Sequence, residues 1–216
     1  MITIIVGKSC SGKDTTMSEL VNNFNFKPII STTTRPKRDS ETDGVEYNFT
    51  DTESFLNSLR DGTIFEYRKY ETNVSGIDTV WYYGSSVVDN VETTDYVAIM
   101  DIDGCREYID QYGSNNCFIV YLLCSDDVRK QRSIERGSYD KKEWNRRAKH
   151  DDKYLDVSNA FDIMTACIKT ETLSTKDICA RIVEYLKDFR KRENKSIIYM
   201  NDNDKCIIYD RGNDDV

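Results

Sequence analysis

The stretch that decides the fold is GKSCSGKDTT, residues 7–16, which follows the apolar run ITIIV at residues 2–6. Gly7, Gly12 and Lys13 fit the phosphate-loop pattern G-x-x-x-x-G-K-[ST], and Asp14 stands where that pattern has a serine or threonine. A buried strand, a glycine-bearing loop and a helix start occur here in the order that the motif requires. The sequence therefore predicts a loop that binds a nucleoside triphosphate.

The loop is expected to hold the phosphates through converging backbone amides and the positive end of the following helix. Lys13 would bridge the β- and γ-phosphates. The predicted contacts are Gly7, Lys8, Ser9, Cys10, Ser11, Gly12, Lys13, Asp14 and Thr15.

Asp14 has two interpretations. A carboxylate is a hard oxygen ligand that can hold Mg²⁺, and it is favoured in the first turn of a helix. An anion ~4 Å from a phosphate charge also repels it by up to ~4 kcal/mol at an effective dielectric constant near 20. A divalent cation between the two reverses that sign. We therefore expect a working loop that depends on Mg²⁺ as cofactor, with Thr15 or Thr16 as a secondary hydroxyl source.

The overall composition excludes several classes of protein. The chain has 216 residues and a net charge of −8, from 30 basic and 38 acidic side chains. This balance argues against nonspecific binding of nucleic acid. Its seven cysteines are odd in number and show no C-x-x-C spacing, which argues against a disulfide framework or a zinc site. The run at 2–6 is too short to be a signal peptide or membrane span, so we expect a soluble cytoplasmic protein.

Strand-like and helix-like segments alternate along most of the chain, which predicts an α/β fold with a parallel sheet flanked by helices. Two stretches, 31–93 and 131–157, break the alternation and are interpreted as inserts. The segment SIIYMNDNDKCIIYD at 196–210 predicts a C-terminal β-hairpin. Further strands are predicted at 27–30, 97–102 and 117–123, and helices at 15–24, 52–59, 105–112, 126–136, 141–154 and from Ser174.

A second anion site is predicted in STTTRPKRDSETDGVEYNF, residues 31–49. Arg35 and Arg38 lie three residues apart around Pro36, and Tyr47 follows. Guanidinium groups suit a phosphate dianion because their donors are arranged as a planar fork. These three side chains could bind a second phosphate opposite the loop, so we expect two anion sites facing one cleft.

Five motifs together resemble guanylate kinase, in order: S-T-T-T-R-P-x-R at 31–38, D-G-x-x-Y-x-F at 43–49, F-E-Y at 65–67, Y-Y-G-S at 82–85 and M-D-I-D-G at 100–104. The resemblance covers roughly residues 2 to 165. It implies a P-loop NTPase-type core with an inserted NMP-binding lobe and a lid. The implied division is 1–30, 94–130 and 158–190 for the core, 31–93 for the GMP-binding lobe, 131–157 for the lid and 191–216 for a C-terminal extension.

The resemblance also implies roles for individual residues. The triphosphate would be ATP, and the acceptor GMP or dGMP. The cations around the transferred phosphoryl group would be Lys13, Arg35, Arg38, Arg132, Arg136 and Arg147. The GMP site would comprise Ser31, Arg35, Arg38, Tyr47, Glu66, Tyr83, Ser85 and Asp101, and Asp103 would join Asp14 near the metal.

The chemistry of the acceptor agrees with these roles. Guanine presents N1–H and N2–H side by side, and one carboxylate such as Glu66 can accept both. The acceptor oxygen needs no general base, because a phosphate monoester with a second pKa of about 6 is already ionised at neutral pH.

Two alternatives remain open. One is a nucleoside monophosphate kinase with a different base preference, which the long segment at 70–81 and Asp14 would allow. The other is a noncatalytic guanylate-kinase-like interaction module. The C-terminal hairpin is either decoration or an edge strand that forms a homo-oligomer.

Overall fold

A computed structural model describes residues 1–39, 41–74, 76–191, 198–200 and 206–207, which form two structural units. The strands are β1 (Ile2–Val6), β2 (Lys27–Pro28), β3 (Thr32–Thr33), β4 (Asn48–Phe49), β5 (Ile64–Val74), β6 (Ile77–Ser86), β7 (Tyr96–Ile99), β8 (Cys117–Leu123), β9 (Ala166–Lys169), β10 (Ile198–Met200) and β11 (Cys206–Ile207). The helices are α1 (Lys13–Asn23), α2 (Thr52–Arg60), α3 (Ile102–Tyr112), α4 (Asp126–Glu135), α5 (Lys141–Tyr154) and α6 (Thr175–Lys191).

The larger unit consists of Met1–Lys27 and the described residues from Glu92 onward. Its sheet has the order β11-β10-β9-β8-β1-β7-β2, and the five strands from β10 to β7 in this order run parallel. The predicted α/β fold with a parallel sheet flanked by helices is confirmed. β2 is shorter than the predicted strand at 27–30. It contains Pro28, which has no N–H to donate to a ladder.

The predicted C-terminal hairpin is present as β10 and β11, which pair antiparallel. β10 also adds to β9 in parallel and so extends the central sheet. The rest of the predicted extension, at 192–197, 201–205 and 208–216, lies outside the described residues.

The core of the larger unit lies between the sheet and two helices. Every residue of β1 is buried, as its unbroken run of β-branched residues indicates for a strand covered on both faces. α1 contributes Leu20 to this core, and α6 contributes Ile178, Cys179, Ile182 and Leu186. Within the described residues, no helix combines the length and apolarity needed to cross a membrane.

Helix ends in this unit follow local signals in the sequence. Asp140 caps α5 by accepting the backbone N–H of Glu143 at 2.7 Å, and Asp101 caps α3 by accepting that of Gly104 at 2.7 Å. Gly137 follows α4 with a φ of 68°, the left-handed conformation that ends a helix.

The smaller unit, Pro28–Val91, has a four-stranded sheet of order β4-β3-β6-β5. β5 and β6 form a long antiparallel hairpin in register from Glu66–Ser85 to Val74–Ile77. Gly84 lies where side chains crowd this sheet: a Cβ there would be 2.7 Å from Ile64 Cγ2 and 2.8 Å from Phe55 Cζ. The roles of this unit as a GMP-binding lobe and of 131–157 as a lid stay predictions.

Burial of Ile182 should contribute strongly to stability. Its side chain is 0% exposed in the core, so Ile182→Ala should lower the free energy of unfolding by about 2–5 kcal/mol, through lost transfer energy and the cavity left behind. Urea denaturation followed by circular dichroism measures the change. Ile134→Ala is the matched control, because Ile134 also lies on a helix but is 48% exposed; its effect should stay within about 0.5 kcal/mol. Equal effects of the two variants would contradict the assignment of this core.

Candidate active site

The phosphate loop connects β1 to α1 through three residues with positive φ. These are Gly7 at 153°, Cys10 at 61° and Gly12 at 104°. A Cβ on Gly7 would lie 2.7 Å from the carbonyl oxygen of Leu122 and 2.8 Å from Ser11 Oγ, so a side chain does not fit there. Gly12 occupies the N-cap position of α1 and has no side chain to accept the first helical amides, which leaves those amides available to an anion.

Lys13 lies at the centre of this loop. Its Nζ donates to the carbonyl oxygens of Gly7 at 2.7 Å and Lys8 at 3.1 Å. Burial lowers the pKa of Lys13, while the carboxylate of Asp14 acts in the opposite direction. An ammonium group has three donors, so one remains for a ligand.

The residues that follow Lys13 differ in exposure. Asp14 and Thr15 are exposed in the first turn of α1, whereas Thr16 is buried. Thr15 Oγ1 accepts a long hydrogen bond of 3.4 Å from Arg136 Nη2. Thr15 is therefore the more accessible of the two hydroxyls considered as secondary ligands.

Arg132 and Arg136 border a cleft of about 200 Å³ beside the loop. Arg132 donates to the carbonyl oxygens of Ser11 at 3.1 Å and Thr170 at 2.7 Å, so its guanidinium braces the loop against the end of β9. The sequence predicted the helix that begins near Ser174, but it did not predict that Thr170 would bind Arg132 or that the start of α6 would line this cleft, because neither carries a recognisable motif. The cleft is lined by Ser11, Gly12, Thr15, Thr16, Arg132, Arg136, Leu173, Thr175 and Ile178.

Arg147 lies on the exposed surface of α5, where its Nε donates to Glu143 at 2.7 Å. Arg146 donates two further hydrogen bonds to the same carboxylate. Hydrogen bonds from Arg146 and Arg147 hold the pKa of Glu143 at about 2. The structure thus places Arg147 in the same unit as the phosphate loop, in contact with a neighbouring carboxylate.

Arg35 in the smaller unit is 5% exposed and paired with Glu41. Its Nη2 lies 2.7 Å from Glu41 Oε1 and its Nη1 lies 3.0 Å from Oε2, a bidentate arrangement. The guanidinium also packs over the rings of Tyr47 and Phe49, at 5.5 and 5.6 Å from their centroids. Sequence reasoning identified Arg35 but missed Glu41, which lies within the quoted segment among several other acidic residues.

Other predicted acceptor residues cluster around Arg35. The Tyr83 ring contacts that of Tyr47 edge to face at 5.6 Å. Arg38 is exposed, and its backbone N–H donates to Glu41 Oε2 at 2.8 Å. The structure therefore brings Arg35, Tyr47 and Tyr83 together, with Arg38 beside them.

The predicted base-reading residues lie on the sheet of this unit. The hydroxyl oxygens of Ser31 and Ser85 are 3.2 Å apart. Glu66 pairs with Ser85 across β5 and β6, is 7% exposed, and has a carboxylate oxygen 3.3 Å from Arg68 Nη1. A buried carboxylate next to two hydroxyl groups can accept paired N–H donors from a planar base.

The two aspartates predicted after β7 have different environments. Asp101 is half-buried at the start of α3, which it caps. The Asp103 side chain is 75% exposed and lies 3.6 Å from Arg106 Nη1. Among the described residues, no cluster of three metal-ligating side chains occurs.

Magnesium in phosphoryl-transfer sites needs only one or two protein carboxylates, since phosphates and waters complete its shell. Asp14 fits this requirement because its carboxylate is exposed on the first turn of the helix that follows the loop. Asp103 is a weaker fit, since its exposed carboxylate lies 3.6 Å from the guanidinium of Arg106.

A model of the guanylate kinase family matches residues 1–189. This chain belongs to the guanylate kinase family. It is 30% identical over 147 residues to a guanylate kinase of Helicobacter hepaticus, covering 64% of this chain and 68% of that protein. It is 32% identical over 142 residues to that of Clostridium tetani, covering 64% of each. The guanylate kinase of Helicobacter pylori strain 26695 is 26% identical over 191 residues, covering 86% of this chain and 87% of that protein.

The crystal structure of guanylate kinase from Anaplasma phagocytophilum shares the fold, with a TM-score of 0.59 at 18% identity, over 89% of this chain and 87% of that one. Membership of the guanylate kinase family makes this protein an enzyme of the kinase class. The residue roles given above stay predictions, because neither the family match nor the shared fold assigns them.

The ion pair of Glu41 should make the stability of this guanylate kinase family member depend on pH. Hydrogen bonds from the Arg35 side chain and the Arg38 backbone lower the pKa of Glu41 from 4.5 to about 2. A depressed folded-state pKa stabilises the protein above the unfolded value, and this contribution is lost as pH falls toward the folded value. The difference in unfolding free energy between wild type and Glu41→Gln should therefore be largest near pH 7 and shrink below about pH 4.5.

Urea titrations at several pH values measure this difference. Glu46→Gln is the control: Glu46 is exposed in the same segment, and its Oε2 accepts the backbone N–H of Thr42. A difference for Glu41→Gln that stays constant with pH would contradict the ion pair.

Proposed function

We propose that this protein transfers the terminal phosphoryl group of ATP to GMP or dGMP and releases ADP with GDP or dGDP. The observation that carries the proposal is the phosphate loop, with Lys13 enclosed at its centre, in a chain whose match to the guanylate kinase family spans residues 1–189. A pure interaction module has no need for such a loop together with a second guanidinium cluster.

The donor would bind in the larger unit. Backbone amides at the start of α1 and the third donor of Lys13 bind phosphate oxygens, and the purine and ribose lie toward the cleft beside Arg132 and Arg136. Mg²⁺, when bound, neutralises charge on the transferred phosphates, and Asp14 is the residue that would hold it.

The acceptor would bind in the smaller unit. Arg35, Arg38, Tyr47 and Tyr83 bind its phosphate, and Glu66 accepts the N1–H and N2–H of guanine. Ser31 and Ser85 supply hydroxyl groups beside that carboxylate. The bidentate bond between Arg35 and Glu41 holds the guanidinium in one orientation before the acceptor arrives.

The chemical step needs positioning and charge neutralisation rather than a base. An acceptor oxygen that is already ionised attacks the γ-phosphorus of ATP, and the bond to the β,γ-bridging oxygen breaks. Negative charge on the transferred group and on the departing ADP is balanced by Lys13, Arg35, Arg38, Arg132, Arg136 and Arg147.

Acceptor specificity tests this proposal. A coupled assay of ADP release with GMP, dGMP, AMP, CMP, UMP and dTMP should show kcat/KM for GMP or dGMP at least ~10⁴-fold above that for AMP, since adenine does not offer two adjacent N–H donors to the buried carboxylate. Preferred turnover of another nucleotide would support altered base preference. Absence of turnover with all six would leave only the interaction module.

Substitution of Glu66 tests whether this residue determines the preference for GMP. Glu66→Gln should lower kcat/KM for GMP selectively, because an amide offers only one acceptor oxygen where the carboxylate offers two. Glu71→Gln is the matched control on the same strand, because the Glu71 side chain is 79% exposed and paired with Lys69. Equal losses in both variants would contradict the assignment of Glu66.

Asp14 should change the demand for magnesium. Its carboxylate repels the phosphates when Mg²⁺ is absent and would hold the ion when it is present, so the rate of wild type should rise more between low and saturating Mg²⁺ than the rate of Asp14→Ser. The measurement is initial rate against free Mg²⁺ at fixed ATP. Asp127→Ser is the control, because Asp127 is likewise an exposed aspartate in the first turn of a helix. Identical curves for wild type and Asp14→Ser would mean that Asp14 does not approach the metal.

A further inference from the structure

A buried ion pair lies directly behind the phosphate loop. Arg129 of α4 is 1% exposed and Asp151 of α5 is 3% exposed, and their Nη1 and Oδ2 atoms are 3.1 Å apart. None of the residue roles discussed so far uses either side chain. A buried ion pair contributes little to stability compared with apolar residues of similar volume, since desolvation offsets the attraction. Stability therefore does not account for this ion pair, and its role has to lie in the specific contacts that it makes.

Both members of the pair bind the same peptide segment of the loop, at Ser9. The backbone N–H of Ser9 donates to Asp151 Oδ2 at 2.7 Å, and its hydroxyl lies 3.3 Å from Oδ1. The carbonyl oxygen of Ser9 accepts from Arg129 Nη1 at 2.9 Å. The pair thus restrains the donor and the acceptor of one residue at once.

The hydrogen bonds to Ser9 restrain the loop next to a residue with an unfavourable backbone conformation. Cys10 follows Ser9 with a φ of 61°, which is uncommon for a residue with a side chain and persists only where the surroundings hold it. Fixing both polar groups of Ser9 limits the rotations that would let Cys10 relax. The amides of the loop other than that of Ser9 are then kept in the arrangement proposed to bind the phosphates.

The pair is itself held in place from two sides. Arg129 Nη2 donates to Asp126 at 2.7 Å, and the Trp144 ring packs on the guanidinium with its centroid at 5.4 Å. Asp151 lies one helical turn after Arg147 on α5. The hydrogen bond between Asp151 and Ser9 therefore also fixes the position of this turn of α5 relative to the loop.

We infer that Arg129 and Asp151 are positioning residues that preorganise the phosphate loop by holding Ser9 from both sides. The inference rests on the proposed use of this loop to bind ATP. Neither side chain needs to touch the nucleotide. The consequence is tighter ATP binding, with no direct effect on the acceptor.

The decisive variant is Arg129→Met/Asp151→Leu, which removes both charges together and so leaves no unpaired ion in the interior. It should weaken ATP binding by roughly tenfold or more, measured without acceptor by titration with a fluorescent ATP analogue and Mg²⁺. KM for the acceptor should stay within about twofold of wild type. If the ion pair affected only the stability of the fold, the double variant would not weaken ATP binding while leaving KM for the acceptor unchanged.

A smaller effect is expected for Asp151→Asn, which keeps an oxygen for the Ser9 amide but loses the charge; roughly threefold weaker ATP binding is expected. Asp152→Asn is the matched control. Asp152 is the next residue on α5 and bonds Lys8 of the loop, but its side chain is 56% exposed and should matter little. If the double variant does not fold, equal ATP affinity of these two single variants overturns the inference.

Hydrogen exchange of the peptide covering residues 7–16 tests the restraint without nucleotide. The double variant should exchange these amides faster than wild type and Asp152→Asn, because the loop is no longer held. Unchanged exchange, or ATP binding within twofold of wild type in the folded double variant, overturns the inference. Failure of the wild type to bind ATP would instead refute the proposed function, and the exchange data would still decide whether the pair holds the loop.

Discussion

The constraint on which the larger unit depends is the course of one short loop, whose backbone must pass from a buried strand into a helix. Between β1 and α1 the backbone passes through positive φ at Gly7, Cys10 and Gly12. The buried strand fixes one end of this loop and the helix fixes the other. Neighbouring elements supply the remaining restraint: β8 packs its Leu122 carbonyl against Gly7, and Arg132 binds the carbonyl of Ser11.

Carboxylates hold the important cations of this acidic protein in place. Arg35 binds Glu41 through two parallel hydrogen bonds, Arg129 binds Asp151 behind the loop, and Glu143 accepts from Arg146 and Arg147. A guanidinium with a fixed partner loses less side-chain entropy when an anion binds. Each pair also neutralises positive charge that would otherwise accumulate around the proposed phosphate sites.

In this member of the guanylate kinase family, Asp14 departs from the phosphate-loop pattern. The carboxylate occupies the position where the phosphate-loop pattern has a hydroxyl, at the positive end of α1. That location favours its charge, while a bound triphosphate opposes it. On the proposed function, the site would need a cation to balance the charge of Asp14 together with that of the phosphates. The exposed Thr15, one position later, retains a hydroxyl on the same turn.

The sequence by itself determined the elements and the phosphate loop, because these depend on local patterns: a β-branched run for β1, a run of apolar and aromatic residues for β8, a glycine before α1, and a glycine after α4. It also located Arg35 and Glu66 through motifs. Only the tertiary structure decided which of the many charges are buried and paired. Ser9 and Asp151 are 142 residues apart in the sequence. Arg129 lies in a segment with many charged residues, where no hydrophobic periodicity identifies it as a buried position. Burial of a charge depends on contacts between distant segments, which local patterns do not encode.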